Sequence, residues 1–289
     1  SLHDALPISA IQAAIAATPD DGTGVDTLNE LQTVVNNAAA ALASIKAAAE
    51  TNNATDANVA ISVFAAAGVT GVDANNVAAI QSALNSAGVD GSKADTKEEV
   101  QAIVDAYNAI KANADNSSTT NPTQEQYAAI GVTGIDSAEK ANLLGNVVDG
   151  KDFADVDTVR ELQDLADAAA AVIASTTSTT RPSQAQLNAL GITGVTTANL
   201  AAIQAAIAGS GAAGVDSVSE LQNIVNAIVA TTNHAPTGSN KTISVLEDGS
   251  QAFQASDFGF VDATDTANAL QAVIITTLPT AGTLKLNGT

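Results

Sequence analysis

Three sets of residues in this chain have types and spacings that could support chemistry. The first is Gly209-Ser-Gly-Ala-Ala-Gly214, which matches the Gly-x-Gly-x-x-Gly pattern of dinucleotide-binding proteins. That chemistry needs a strand before the glycines and an acidic ribose ligand about twenty residues later. Because helical patterns flank the segment on both sides, we interpret it as a connection between two helices and expect no nucleotide cofactor.

A cluster of carboxylates forms the second set, and its chemistry would be calcium binding. Asp149, Asp152, Asp155 and Asp157 lie close together around Gly150. Hard oxygen ligands on a loop suit an ion that takes about six to eight ligands. The spacing is not that of an EF-hand, and the parallel loops at Asp90 and Gly209 lack this density. We therefore favour a solvated acidic loop.

The third set lies near the C-terminus and contains better metal candidates. These are Glu247, Asp248, Asp257, Asp262 and Asp265. Turns at one end of a β-sandwich gather carboxylates, which are the ligands that calcium prefers. A calcium site and a purely structural role both remain open for these residues.

Catalysis by a nucleophile and a general base is not expected. Outside the first nine residues the only histidine is His234, which lies beside a proline in a linker, and the chain has no cysteine. Paired carboxylates are common, but many lie where a helix begins, and there the helix dipole favours negative charge. The sequence therefore predicts that the chain is not an enzyme.

A seven-residue pattern occurs four times and predicts where four helices begin. It reads Asp-(Thr/Ser)-x-x-Glu-(Leu/Val)-Gln and starts at Asp26, Asp95, Asp157 and Asp216. The hydroxyl can accept from a free backbone N–H while the Glu reaches back to the cap, which is a capping box. The spacings of 69, 62 and 59 residues between the aspartates indicate an array of similar copies.

Each full copy is predicted to contain three short helices. A Gly-(Val/Ile)-Thr-Gly-(Val/Ile) segment follows the first helix, and its first glycine suits a left-handed C-cap. The predicted fold class is mainly α: tandem small three-helix bundles in a beaded array, followed by an incomplete antiparallel β-sandwich. The predicted copies are a partial one at 10–53 and full ones at 54–118, 119–178 and 179–233, called here the first to fourth copies.

Both ends of the chain depart from this pattern. Residues 1–9 fit no copy and resemble a translated artefact, so we exclude them from the predicted fold. Residues 234–289 alternate apolar and polar side chains, as at Ile243 and Val245, and predict a truncated cadherin-like β-sandwich module. Because Thr289 falls within that module, we expect the chain to be part of a longer protein.

Composition limits the possible partners. The formal net charge of −21 disfavours nucleic acids and anionic membrane surfaces. No apolar run is long enough for membrane insertion. Aromatic residues make up 2% of the chain, so each small copy has little apolar area to bury. We therefore expect neighbouring copies of the same chain to stabilise one another.

The C-terminal motifs resemble a known family. They are Glu247-Asp248-Gly249, Asp257-Phe-Gly-Phe260 and the run from Ile275 to Gly288. They are similar to the cadherin-like, Ig-like repeats of giant RTX-type bacterial surface adhesins, and the helical copies resemble the Ala-rich repeats beside such modules. The resemblance implies an extracellular, secreted adhesin on the bacterial cell surface, whose modules are stiffened by calcium.

Two functions from different classes follow as expectations. The first is a non-enzymatic spacer or stalk that extends a binding domain from the cell surface, because length in an array grows with copy number. The alternative is that the helical copies themselves bind a host, matrix or polysaccharide partner through one helix face. The aromatics Phe64, Tyr107 and Tyr127 have helical spacing and are predicted to fill the core and not to form such a surface.

Overall fold

The chain is mainly helical, as predicted. The computed structural model describes residues 8–19, 21–51, 58–115, 120–232, 236–262 and 269–286. The chain divides into two compact units, Ser1–Asn226 and Ala227–Thr289.

Eleven α-helices lie in the described residues, and they follow the predicted order. They are α1 (Ile8–Ala16), α2 (Leu28–Thr51), α3 (Ile61–Ala66), α4 (Val77–Leu84), α5 (Lys97–Ala114), α6 (Gln124–Ala129), α7 (Ala138–Asp149), α8 (Val159–Ala174), α9 (Gln184–Ala189), α10 (Leu200–Ser210) and α11 (Val218–Thr232). The first copy contains α1 and α2, and each later copy contains three helices in turn. One expectation is corrected at the N-terminus, because Ile8 and Ser9 open α1 although they were assigned to the excluded leader.

The predicted capping boxes are present where helices begin. Thr96 with Glu99 and Thr158 with Glu161 each form a complete box before α5 and α8. In the fourth copy the Glu220 backbone N–H donates to Ser217 Oγ at 3.3 Å. Before α2, the Glu30 backbone N–H donates to Thr27 Oγ1 at 3.2 Å. These bonds satisfy amides that have no partner inside the helix, so the repeated sequence pattern fixes four helix starts.

The predicted apolar stripes form the core of the N-terminal unit. Val100, Ile103, Val104 and Tyr107 on α5 are all buried, and Phe64 and Tyr127 are completely buried. The interpretation of the aromatics as core residues is therefore confirmed. On α11 the stripe is only partly covered, because Leu221 and Val225 are buried while Ile224 and Ile228 are half-buried.

The Gly-x-Thr-Gly segments end the first helix of each full copy. The first glycines, Gly68, Gly131 and Gly191, have φ angles of 74°, 88° and 82°. In the third copy Gly131 N donates to Ala128 O and Val132 N donates to Tyr127 O, which together make a Schellman motif. The same pair of bonds recurs in the second and fourth copies. The left-handed C-cap predicted at these glycines is confirmed.

Consecutive copies pack closely against one another. The long third helix of a copy contacts the second helix of its own copy and the first helix of the next copy. This holds for α2 with α1 and α3, for α5 with α4 and α6, and for α8 with α7 and α9. The predicted boundaries at 53/54, 118/119 and 178/179 therefore fall inside one compact unit.

Glycine is required where the second and third copies meet. A Cβ atom on Gly131 would lie 2.5 Å from Ser86 Oγ and 3.1 Å from Gly88 Cα. A Cβ atom on Gly88 would lie 2.3 Å from Gly131 O. The two backbones thus approach so closely that neither position has room for a side chain. At Gly191, the equivalent of Gly131 in the fourth copy, no atom lies within 4 Å of the added Cβ.

The Ser/Thr-rich segment after α8, predicted as a joint, is ordered by an arginine. Arg181 Nη1 donates to the carbonyl oxygens of Ser175, Ser178 and Thr180 at 3.0, 2.6 and 3.1 Å. These bonds satisfy carbonyls at and beyond the end of α8 that would otherwise lack partners. Most of the other predicted joint, 116–119 within 116–121, lies outside the described residues.

The predicted β-sandwich is not seen in the described part of the C-terminal unit. Residues 236–262 and 269–286 contain one isolated antiparallel bridge, between Thr237 and Val261, and no strand. Ile274 is 85% and Leu246 is 88% exposed. An alternating pattern becomes a strand only when a partner strand and a covered face are available, because sheet stability comes from cross-strand packing. The alternation at Ile243 and Val245 therefore did not suffice to predict strands.

None of the helices in the described part of the chain has both the length and the apolar character that a membrane crossing requires.

A pair of matched substitutions tests the close approach between copies. Gly131→Ala and Gly191→Ala both place a Cβ on a left-handed residue, which costs about 1–2 kcal/mol. Only Gly131→Ala also pushes against the neighbouring copy, so we expect it to lower the free energy of unfolding by roughly 1–3 kcal/mol more than Gly191→Ala does. Urea unfolding of the full chain measures the difference.

Gly88→Ala is the companion variant, because its added Cβ also meets backbone atoms of Gly131 while its φ lies outside the left-handed range. We expect a loss comparable to that of Gly131→Ala. Equal stability of the Gly131→Ala and Gly191→Ala proteins would contradict a tight contact between the second and third copies.

Candidate functional site at the junctions between copies

A hydrogen-bonded pair recurs in every full copy and joins the Gly-x-Thr-Gly segment to the third helix. In the third copy Thr133 N donates to Gln163 Oε1 at 2.8 Å, and Gln163 Nε2 donates to Thr133 O at 3.1 Å. The other pairs are Thr70 with Gln101 and Thr193 with Gln222. Because the side-chain amide satisfies both backbone groups of one residue, each pair fixes the position of its segment on the helix.

The glutamine itself is oriented by a residue one turn along the helix. Gln163 Nε2 also donates to Asp167 Oδ1 at 2.7 Å, and Gln101 and Gln222 have the same relation to Asp105 and Asn226. The sequence pattern included this glutamine but did not reveal its partner. The sequence spacing could have indicated the partner, since each glutamine follows the threonine of its own copy by 31, 30 or 29 residues.

A second set of polar contacts links each copy to the next. In each case the second helix of one copy bonds to the start of the third helix of the following copy. Ser9 Oγ donates to Glu98 Oε2 at 2.8 Å, Val159 N donates to Ser82 Oγ at 3.0 Å, and Asn142 Nδ2 donates to Asp216 Oδ2 at 3.2 Å. A polar contact between the same two elements thus recurs at each junction, although the residues and their positions along the helices differ.

A groove lies at the junction of the second and third copies. It is open to solvent and has a volume of about 950 Å³ between α4, the Gly131–Thr133 segment and the first turns of α8. Its lining includes Asn85, Ser86, Arg160 and Asp164. Ser86 Oγ is buried and has no hydrogen-bond partner.

Burial and neighbouring carboxylates raise the pKa of two aspartates where third helices begin. Burial, together with Glu161 and Asp155, raises the pKa of Asp157 above its ordinary value. Burial and the nearby Glu220 likewise raise the pKa of Asp216, in opposition to its bond from Asn142. At the equivalent position in the second copy, Asp95 has the Lys46 ammonium 3.6 Å away. In the third and fourth copies, neighbouring carboxylates thus repel the aspartate that precedes the third helix. In the second copy, the Lys46 ammonium lies beside that aspartate.

The C-terminal metal candidates are not brought together in the described residues. Asp257 accepts from the Lys241 ammonium and from Gln254 N, and these bonds lower its pKa below the usual range. Asp248 has a left-handed φ of 61° in a turn after Glu247. Asp262 lies next to the Thr237–Val261 bridge, and Asp265 lies outside the described residues. Calcium binding there stays a prediction.

The other carboxylate cluster lines a cavity of its own. Asp149, Asp152 and Asp155 border a volume of about 360 Å³ together with Lys151. Within the described ranges, no group of three or more His, Asp or Glu side chains is placed to hold a metal ion. A solvated acidic loop, as predicted, remains the interpretation of this segment.

The glycine-rich motif lies at the end of one helix and before the start of the next. Gly209 and Ser210 end α10, Gly211 has a φ of 72°, and residues 212–214 form a 3₁₀ turn before α11. The motif thus joins two helices, which confirms its interpretation as a connection between helices. The helix α10 precedes its glycines, whereas the nucleotide-binding motif follows a strand. His234 lies outside the described residues.

Comparisons of the chain with protein-family models, with curated proteins and with solved structures found no match.

The raised pKa of Asp157 predicts a pH-dependent effect of removing its charge. A carboxyl whose pKa is raised by folding destabilises the folded state when ionised, and this penalty disappears below the unfolded pKa of about 3.9. We expect Asp157→Asn to increase the free energy of unfolding at neutral pH by about 0.5 kcal/mol, the scale of partly exposed charges. Urea unfolding at neutral pH and at about pH 3 measures the change, which should vanish at the lower pH.

Asp95→Asn is the matched control, because it removes the carboxylate that faces Lys46. We expect no gain in stability from this variant at neutral pH. A gain for Asp157→Asn that persists unchanged at low pH would show that the effect does not come from its charge.

Proposed function

We propose that this chain is a non-enzymatic spacer segment of a long extracellular adhesin and extends a binding domain from the cell surface. The observation that carries the proposal is the pattern of helix packing. The principal contacts between helices join elements of one copy or of two consecutive copies, as in α5 with α4 and α6. An array built on nearest-neighbour contacts can lengthen by adding copies, because no copy depends on a distant one.

The repeated junction supports the same role. The Thr–Gln pair has nearly the same geometry in three copies, and each second helix bonds to the third helix of the following copy. The same two elements meet at each junction through different side chains. Copies can therefore be added although the contacting residues change. The partners of each copy in this proposal are its neighbours in the same chain.

The C-terminal residues enter the proposal on sequence grounds. The alternation of apolar residues and the resemblance to RTX-type adhesins favour a cadherin-like module at 234–289, with calcium as its candidate ligand. The extracellular location rests on the same resemblance. The net charge of −21 favours solubility at the cell surface and disfavours nucleic acids as partners.

Duplication of one copy tests the spacer role. A variant carrying residues 119–178 twice in succession is compared with the unmodified chain by small-angle X-ray scattering. We expect the maximum dimension to increase by about 10 Å or more, the spacing of packed helices, while the cross-sectional radius of gyration stays constant.

One added copy is large enough to change the maximum dimension measurably. Circular dichroism checks that the added residues are helical. Growth of the particle in all dimensions, with no selective increase in its length, would contradict the spacer proposal.

A further inference from the structure

The junction between the third and fourth copies is packed more lightly than the other two junctions. Helix α2 packs on three elements of the second copy, which are α3, α4 and the 3₁₀ turn at Gly91–Lys93. Helix α5 packs on the same three elements of the third copy, α6, α7 and the turn at Phe153–Asp155. Of these elements in the fourth copy, α8 packs closely on α9 alone. The long helix before the fourth copy therefore holds it at one place, where the second and third copies are each held at three.

The residues of the 3₁₀ turn explain part of this difference. In the third copy the Lys111 ammonium of α5 lies 5.2 Å from the ring centroid of Phe153 in the turn, which is a cation–π contact across the junction. In the fourth copy Ala212 occupies the position of Phe153, and Ile173 of α8 occupies that of Lys111. The contact that joins α5 to the turn thus has no counterpart between α8 and the fourth copy.

The Gly-x-Thr-Gly segment of the fourth copy also stays clear of the copy before it. A Cβ atom on Gly68 would lie 2.5 Å from Ala13 Cβ of α1, and one on Gly131 would lie 2.5 Å from Ser86 Oγ. A Cβ atom on Gly191 would have no atom within 4 Å. The backbone of this segment is therefore pressed against the preceding copy at two junctions and not at the third.

Carboxylates repel one another across the same junction. Asn142 Nδ2 donates to Asp216 Oδ2 at 3.2 Å and joins the third copy to the fourth. Burial raises the pKa of Asp216 against this bond, and so do the charges of Glu220 and of Glu139 on α7. Because Glu139 belongs to the third copy, part of the repulsion acts between the two copies.

Helix α10 is less buried than its equivalents in the second and third copies. It has 11 residues, of which Ile203 and Ile207 are buried. Helix α4 has 8 residues and buries four of them, and α7 has 12 and buries six. Because less apolar surface leaves water when α10 packs, separating it from its neighbours costs less free energy.

The end of α8 is held by bonds that do not involve the helices of the fourth copy. Arg181 Nη1 donates to the carbonyl oxygens of Ser175, Ser178 and Thr180, which all precede α9. These bonds cap α8 from within one short segment of chain. They can therefore persist when α9 to α11 separate from α8.

We propose that the fourth copy is an extensible element, in which α9 to α11 open as a unit while the second and third copies stay folded and Arg181 stops the opening at the end of α8. Opening frees roughly 50 residues, each of which spans up to about 3.3–3.6 Å when extended. A stalk under tension then lengthens by on the order of 100 Å, while its other copies stay folded. The stretching role rests on the spacer proposal, whereas the opening itself does not.

Native-state hydrogen exchange of the full chain, followed by mass spectrometry at low urea concentrations, tests the order of opening. We expect amides of α10 to exchange at least about tenfold faster than those of α4 and α7, because partial opening requires less free energy than global unfolding. Amides of α9 and of the first turns of α11 should show the same urea dependence as those of α10. Helix α8 should exchange with the second and third copies.

Helix α2 is the internal control. In this chain the first copy also packs against a single helical copy, but α2 contacts three elements of it. We therefore expect α2 to be protected like α5. Exchange of α2 as fast as that of α10 would trace the opening to the number of neighbouring copies and overturn the role of the light junction.

Arg181→Ala tests where the opening stops. Without the three carbonyl bonds, opening of the fourth copy should spread into α8, so that residues 170–176 exchange about fivefold faster or more and take the urea dependence of α10. Arg160→Ala removes the other arginine of the chain, which is exposed on α8, and should leave the exchange of residues 170–176 unchanged. An increase without a change in urea dependence would mean local fraying and would remove the stopping role of Arg181.

Two results in the unmodified chain overturn the proposal. Protection of α10 equal to or above that of α4 and α7 would show that the fourth copy is not the first to open. Exchange of α8 together with α10 would show that the third and fourth copies open as one unit. Neither result bears on the length of the folded array, which scattering measures, so failure of this proposal is distinct from failure of the spacer proposal.

Discussion

The structure of the N-terminal unit depends on one constraint, which is that the long helices α2, α5 and α8 each pack against helices of two copies. Helix α5 packs on α4 of its own copy and on α6 of the next, and α2 and α8 repeat the arrangement. With 2% aromatic residues and many alanines, a copy of about 60 residues has little core of its own. Packing of each long helix against the following copy supplies the remaining burial, so stability is a property of neighbouring pairs.

The glycines and glutamines make this sharing possible. Gly131 and Gly88 let two backbones meet without a side chain between them, and Gln163 holds the intervening segment in place through both backbone groups of Thr133. At this junction the glycines set how closely the two copies approach, and the glutamine holds the Gly-x-Thr-Gly segment on the third helix of its own copy. The remaining junction residues are then free to differ, as Glu98, Arg160 and Ser219 do.

Local signals in the sequence predicted the helical part well. The capping boxes and the glycine C-caps depend on residues within one turn of each other, and the buried stripe of α5 depends on helical spacing alone. The sharing of helices was not predicted, because packing partners such as α6 for α5 are not encoded in any local pattern. The role of Gln163 was missed for the same reason, since Thr133 lies 30 residues away. The β pattern near Val245 stays a prediction, because strands need distant partners that a local pattern does not identify.

Hydrogen exchange in a destabilised variant tests most directly whether copies depend on their neighbours. Leu144 is completely buried on α7 in the third copy, and Leu144→Ala is expected to cost about 2–5 kcal/mol there. If long helices are shared, amide protection should fall in α5 of the second copy as well as in α6 to α8, because α5 packs on α6 and α7. Loss of protection confined to residues 119–178, with α5 exchanging as in the unmodified chain, would contradict the account.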